Sequence, residues 1–243
     1  DPIELEKWLK RITEELDRHN QENPDSPAAP FAVNQICHSS NDRLEHDMED
    51  CVKHKVPIII TSLRAPKFVV DAVHSYGGAV MHDVINIRHA KKAIDEGADG
   101  LILVCAGAGG HAGTLHPIPL INEIRKFFNK TILLSGCLSS GKDVASALQM
   151  GADFAYMGTR FINVTESNAS EDYKQMIIQS SAEDIVYTAA VSGVHGSFLK
   201  PSLEAMGITE DQWKKSKKID FGSELDAAKA EAQAWKTIWS AGQ

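Results

Sequence analysis

Apolar and polar positions follow two different rhythms along this chain. Over residues 3–20, Leu5, Trp8, Leu9, Ile12 and Leu16 recur at helical spacing among charged neighbours, which predicts an amphipathic helix. A polar, proline-bearing stretch from Asn20 to Pro30 predicts a loop. From Phe31 short apolar runs take over, at 31–36, 57–63, 79–85, 100–105, 131–134 and 154–157. Helical patterns separate them near 41–54, 66–76, 88–97, 117–129 and 140–151. Strands alternating with helices of this length imply parallel strands joined by crossovers. Two helix-to-strand corners nearly repeat, Gly97-Ala98-Asp99 and Gly151-Ala152-Asp153. Glycine there suits the left-handed position that follows a helix.

The run from Leu101 to Gly113 carries the most information. Leu101-Ile102-Leu103-Val104 reads as a strand buried on both faces. It ends in glycines 107, 109, 110 and 113 around one histidine, His111. Glycine lets a backbone approach a ligand closely, and an imidazole can serve as a general base near neutral pH. Two later strand ends are also built of small residues, Ser135-Gly136-Cys137 and Met157-Gly158-Thr159. Three such ends in succession point to one ligand site on a parallel α/β sheet or barrel. An eight-stranded (β/α) barrel would need two strands beyond the six runs; an open doubly wound sheet is the alternative. After a helix near 169–181, the segment Asp184–Thr188 enters a glycine-rich loop, and residues 224–241 read as helical. The C-terminal part therefore does not supply the two further barrel strands.

Composition narrows the partners. The chain of 243 residues is 43% hydrophobic and 24% charged, as in soluble globular proteins. A formal charge of −8 argues against a nucleic-acid binder, which needs a basic face. The run Lys214-Lys215-Ser216-Lys217-Lys218 reads as solvated. No apolar run reaches the roughly 20 residues of a membrane span, and Asp1-Pro2-Ile3-Glu4 lacks the marks of a signal peptide. Cys37, Cys51, Cys105 and Cys137 lack metal-ligand spacing. They read as reduced, with Cys105 and Cys137 at the ends of buried strands, and a cytoplasmic location is expected. The ten histidines form no metal-binding pattern.

Five elements in order carry a family resemblance. They are Phe31-Ala32-Val33-Asn34, His82-Asp83-Val84, Ala108-Gly109-Gly110-His111-Ala112-Gly113, Ser135-Gly136, and Gly151-Ala152-Asp153 followed by Met157-Gly158-Thr159-Arg160-Phe161. Over most of residues 30–205 the chain resembles the nitronate monooxygenase family, also called 2-nitropropane dioxygenase-like flavoproteins. The resemblance implies an FMN-dependent α/β protein, a TIM (β/α)8-type barrel lacking its first two strands in this chain, with a small helical C-terminal region. Residues 1–183 would form the FMN-binding barrel, and 184–243 the substrate-side loop and helical region. Asn34 then resembles the residue that touches the flavin ring, and Gly109 and Gly110 those that pass beside FMN. Gly136 resembles the phosphate-turn glycine, and Tyr156, Met157, Gly158 and Thr159 the phosphate clamp. Backbone N–H groups after late barrel strands suit a phosphate. One phosphate turn without a GxGxxG fingerprint favours FMN over FAD. Two departures are Cys137, where many relatives have glycine, and Val104, where some have a glutamine.

His111 resembles the family's catalytic base. The implied reaction is oxidation of alkyl nitronates, or nitroalkanes after removal of the α-proton, by O2 to a carbonyl compound and nitrite. The partners would be a small-molecule substrate and O2, with no nucleic acid, membrane or metal. Two other readings remain: an FMN-dependent NAD(P)H reductase of enoyl thioesters or quinones, and a non-catalytic flavin- or phosphate-binding remnant. Several residues carry two readings each. His82 and Asp83 either contact the flavin or form a hydrogen-bonded pair. Asn34 either touches the flavin or caps the next helix. Arg160 either neutralises phosphate or points among the outer helices. Tyr187 and His195 either reach the substrate or are ordinary loop residues. Ser39 and Ser40 are expected to cap the 41–54 helix, and Trp213, Trp235 and Trp239 to anchor terminal helices.

Overall fold

Five glycine-ended or helix-flanked crossovers thread six strands into one sheet. A computed structural model describes residues 2–38, 41–64, 67–191, 193–215 and 237–243. Helix α1 (Pro2–Glu22) precedes β1 (Ala32–Ile36), α2 (Leu44–Lys53), β2 (Ile58–Ser62), α3 (Lys67–His74), β3 (Ala79–Val84), α4 (Ile87–Asp95) and β4 (Gly100–Val104). Then follow β5 (Gly110–His111), α5 (Pro117–Ile124), β6 (Thr131–Ser135), α6 (Gly141–Gln149), β7 (Phe154–Tyr156), α7 (Thr159–Ile162) and α8 (Glu171–Gln179). The chain continues through β8 (Ile185–Thr188), β9 (Gly196–Leu199), α9 (Lys200–Ala205) and α10 (Glu210–Lys214).

The main sheet has the order β1-β2-β3-β4-β6-β7. A doubly wound sheet reverses its strand order at a switch point. Here the order never reverses, which is the sequential parallel winding of a (β/α) barrel. Among the described residues, six strands belong to it. The chain forms two compact units, Asp1–Ile102 with Asn129–Ile132, and Leu103–Phe128 with Leu133–Gln243.

In the first unit, β1, β2 and β3 pair in parallel, with Asn34 beside Ile60 and Thr61 beside His82. Leu9 of α1 packs with Met48 and Cys51 of α2, Val69, Val70 and Val73 of α3, and Ile59 and Val80 of the strands. Trp8 departs from the expected apolar stripe: it is 58% exposed, while its neighbour Leu9 is buried. Leu9 faces the core, and Trp8, about 100° round the helix, faces solvent. Gly97 takes φ +97, the left-handed position read from the sequence. The following Asp99 accepts the Val80 N–H and lies 2.8 Å from His74 Nε2.

In the second unit, Gly151 repeats that corner at φ +103, and Asp153 pairs with Arg125 at 2.7 Å. Strands β6 and β7 are parallel, with Ser135 beside Tyr156. The segment after α8 adds no strand to the main sheet, as expected. It does supply strands, but they make a separate antiparallel sheet in the order β5-β9-β8. Phe198, Leu203, Trp213 and Ile238 pack beneath it. The expected helix over 224–241 lies largely outside the described residues, as do Ser39, Ser40 and Trp235. Trp213 is buried, and Trp239 stacks on Tyr173 with ring centroids 5.0 Å apart.

Candidate functional site

Four segments of the second unit converge on a cavity of about 250 Å³. They are the glycine loop at 107–109, the turn at 135–139 after β6, Tyr156, Gly158, Thr159 and Ile162 around the end of β7, and Ser240, Gly242 and Gln243. Gly136 stands at φ +121, and a Cβ there would lie 3.0 Å from the Ala106 carbonyl oxygen and 3.3 Å from that of Cys105. The turn thus needs glycine both for its dihedral and for its approach to the glycine loop. Cys137 follows at φ +56, an uncommon conformation for a residue with a Cβ. Here the sequence reading is corrected: the Cys137 side chain is exposed, not a buried strand-end residue. Its turn leaves β6 in a left-handed conformation, and its Sγ lines the cavity and reaches the Ala106 carbonyl at 3.5 Å. That sulfur also fills the space a Cβ on Gly107 would need. Desolvation, with the Asp143 carboxylate second, raises the Cys137 pKa. Cys105, by contrast, is buried, and its thiol is pushed up to about 12 by burial.

Asp143 accepts the backbone N–H groups of Ser139 at 2.9 Å and Ser140 at 2.8 Å at the start of α6. Those bonds hold its carboxyl below the ordinary range. An anion in the cavity must therefore be met by other backbone N–H groups and by hydroxyls. Thr159 Oγ1 accepts the Gly242 N–H at 2.9 Å, which leaves its own proton to donate. Among the described residues, no side chain lining the cavity is charged. A neutral cradle of glycine turns and hydroxyls fits a phosphate held by backbone donors. Whole small-molecule pockets span about 300–1,000 Å³, and this cavity is somewhat smaller.

Of the residues singled out in the sequence, Gly109, Gly136, Tyr156, Gly158 and Thr159 line this cavity. Gly110, Met157, His111 and Arg160 do not. Ser240, Gly242 and Gln243 were not legible in the sequence. The Gln243 N–H donates to the Gly107 carbonyl at 2.9 Å. A Cβ on Gly109 would lie 2.7 Å from the Gly242 nitrogen. This segment carries no apolar periodicity, and only its backbone contacts reveal it.

His111 sits on β5, opposite Gly196 of β9. Its side chain is exposed at the surface, yet the protein packed around the ring lowers its pKa by desolvation. That shift favours the neutral imidazole, the form able to accept a proton. Tyr187 does not reach outward freely: its hydroxyl donates to the Ala112 carbonyl at 2.8 Å, and its ring stacks on His195.

Asn34, His82 and Asp83 belong to the first unit. Ser62 Oγ lies 2.7 Å from Asp83 Oδ2 and 3.3 Å from Asn34 Oδ1. A hydroxyl has one proton, and the shorter contact takes it. Burial raises the Asp83 pKa, and the Ser62 bond opposes that rise. His82 does not pair with Asp83; its Nδ1 lies 2.7 Å from Thr61 Oγ1. Desolvation, with His89 second, lowers the His82 pKa to about 4. Asn34 is not the cap of α2, whose N-cap is Arg43.

Comparison with known proteins adds a further finding. The family model described as nitronate monooxygenase matches residues 2–203. A nitronate monooxygenase of Paraburkholderia phytofirmans is 26% identical over 148 residues, 57% of this chain and 40% of that protein. A (3aS,4S,5R,7aS)-5-hydroxy-7a-methyl-1-oxo-octahydro-1H-indene-4-carboxyl-CoA dehydrogenase of Rhodococcus jostii is 25% identical over 174 residues, 72% of this chain and 49% of that protein. Among solved structures, the M276A mutant of FabK from Thermotoga maritima is similar with a TM-score of 0.68 and 26% identity. That match covers 82% of this chain and 65% of the FabK chain. The chain spans less than half the length of these two curated relatives. Among the described residues, no helix is long and apolar enough to cross a membrane.

Proposed function

The chain belongs to the nitronate monooxygenase family, and we propose that it binds FMN and oxidises alkyl nitronates with O2 in the cytoplasm. The observation that carries this reading is the uncharged cradle of Gly109, Gly136, Gly158 and Thr159 in the same unit as His111. In it the FMN phosphate is held by the backbone of Gly136, Gly158 and Thr159 and by the Thr159 hydroxyl. FMN, when bound, supplies the redox chemistry between the substrate and O2. The protein supplies binding and proton transfer. His111, neutral at pH 7, takes the α-proton of a nitroalkane on the ring nitrogen that bears the lone pair. With a nitronate, already deprotonated, the same imidazole orients the anion.

Anaerobic mixing of the purified, flavin-loaded protein with ethylnitronate and with NADH tests the proposal. Bleaching of the flavin bands by the nitronate, with little change by NADH, is the expected result. Rapid bleaching by NADH alone would instead favour a reductase of thioester substrates. That second reading draws on the Rhodococcus relative, whose name places it on a carboxyl-CoA substrate.

A further inference from the structure

We infer that Tyr187 is a positioning residue for His111, acting through the backbone of Ala112. The inference rests on the reading of His111 as the base. His111 lies on a two-residue strand inside a glycine-rich segment, and Gly110 stands at φ +69. Glycine-rich backbone has many conformations to lose, and two residues of pairing are too few to hold a strand by themselves. The backbone that carries the imidazole is therefore held in part from outside the loop.

The β8–β9 hairpin provides two ties, one on each side of His111. On the N-terminal side, Gly110 pairs with Ser197. Close approach there depends on Gly196, where a Cβ would lie 3.0 Å from the Gly110 carbonyl oxygen. On the C-terminal side, the Tyr187 hydroxyl crosses from β8 to the Ala112 carbonyl at 2.8 Å. The ring that carries this hydroxyl is 40% exposed, so burial alone does not fix it. His195 stacks on it at 5.2 Å between centroids and 27° between planes, which limits its rotation.

The hairpin itself is anchored below. Thr188, next to Tyr187, is fully buried and donates to the Trp213 carbonyl at 2.7 Å. Phe198 of β9 is buried in the same apolar cluster. Order thus passes from that cluster, through Thr188 and the Tyr187 phenol, to Ala112 and the backbone of His111. Strand alternation puts Tyr187 in line with Ser197 and Gly110, and His111 in line with Gly196 and Thr188. Tyr187 therefore acts on the backbone beside the imidazole and not on the ring.

Tyr187→Phe in the full chain tests this, because it removes the hydroxyl and keeps the ring. Backbone amide hydrogen exchange at residues 110–113 should quicken roughly 2- to 10-fold, the worth of one hydrogen bond. Exchange over 185–188 and 196–199 should stay as in the wild type. On nitroethane, kcat should fall while KM holds within about twofold, as expected for a misdirected base. Turnover of ethylnitronate, which needs no proton removed, should fall less. His195→Ala, which keeps the hydroxyl but frees the ring, should shift both readouts in the same direction by a smaller factor. Unchanged exchange at 110–113 in Tyr187→Phe would overturn the inference, as would equal kcat losses on the two substrates. If the wild type turns over neither substrate, the function assigned to His111 fails, while the exchange comparison still decides whether Tyr187 holds the loop.

Discussion

Gly109 and Gly242 cross with room for a Cβ on neither. A Cβ on Gly109 would lie 2.7 Å from the Gly242 nitrogen, and one on Gly242 would lie 3.0 Å from the Gly109 nitrogen and 2.7 Å from the Gly107 carbonyl oxygen. Two residues 133 positions apart in the sequence thus bring backbone onto backbone at the candidate phosphate cavity.

Gly242→Val should displace the 240–243 segment, because the obstructing atoms are backbone and cannot rotate away. The Gly242–Thr159 and Gln243–Gly107 bonds would be lost with it. Overpacking of this kind costs about 1–3 kcal/mol. Urea denaturation should show that loss, and flavin titration should show weaker binding. Wild-type stability and flavin affinity together would contradict the close crossing.

Gly158→Leu is expected to behave differently. A Cβ on Gly158 meets nothing within 4 Å, and its φ of −106 is open to any residue. The variant should fold within about 0.5 kcal/mol of the wild type, as surface substitutions commonly do. Its longer side chain would enter the phosphate space. Two lost hydrogen bonds to a charged group amount to on the order of a 100-fold weaker flavin affinity. A titration giving wild-type FMN affinity would remove the phosphate from this place.

His111→Asn should reduce turnover of neutral nitroalkanes by about 10²–10⁴, the usual worth of a general base. Nitronates should lose a smaller factor, and FMN should stay bound. Steady-state kinetics on nitroethane and ethylnitronate, run side by side, decides the matter. Equal losses would reject proton abstraction by this residue.

His82 predicts a pH dependence of stability. It is 4% exposed, and its pKa falls from 6.5 to about 4 in the folded protein. Its contribution is fully present above pH 6.5 and is lost as pH falls towards 4, since the unfolded chain then binds the extra proton. A depression of this size corresponds to about 3 kcal/mol across that window. Asp83, raised by burial, works in the opposite sense over its own range. Urea denaturation between pH 7 and 4 should therefore show a steeper fall for the wild type than for His82→Gln. Parallel curves would mean that His82 is not held neutral by burial.

The parallel strands were legible because each announces itself locally. Leu101-Ile102-Leu103 is a run without polar interruption, and it is fully buried as read. Gly97 and Gly151 mark helix ends by a backbone preference that glycine alone satisfies without strain. Gly109, Gly136, Gly158 and Thr159 were legible for a related reason: small residues at strand ends leave backbone accessible. The antiparallel sheet was not legible. Gly196 and Ser197 show no apolar alternation, and β5 has only two residues.

By itself, then, the sequence determined the alternation of strands and helices, the glycine corners and five of the residues that line one cavity. Each of these follows from side-chain hydrophobicity or glycine dihedral freedom, which act over a few neighbouring positions. Tertiary structure decided the sequential strand order, the crossing of Gly242 over Gly109, and the bond from Tyr187 to Ala112. Those depend on which distant backbones meet, and a backbone N–H or carbonyl is the same chemical group whatever residue carries it. A contact made by such groups leaves almost no trace in residue identity beyond the absence of a side chain where two chains must touch.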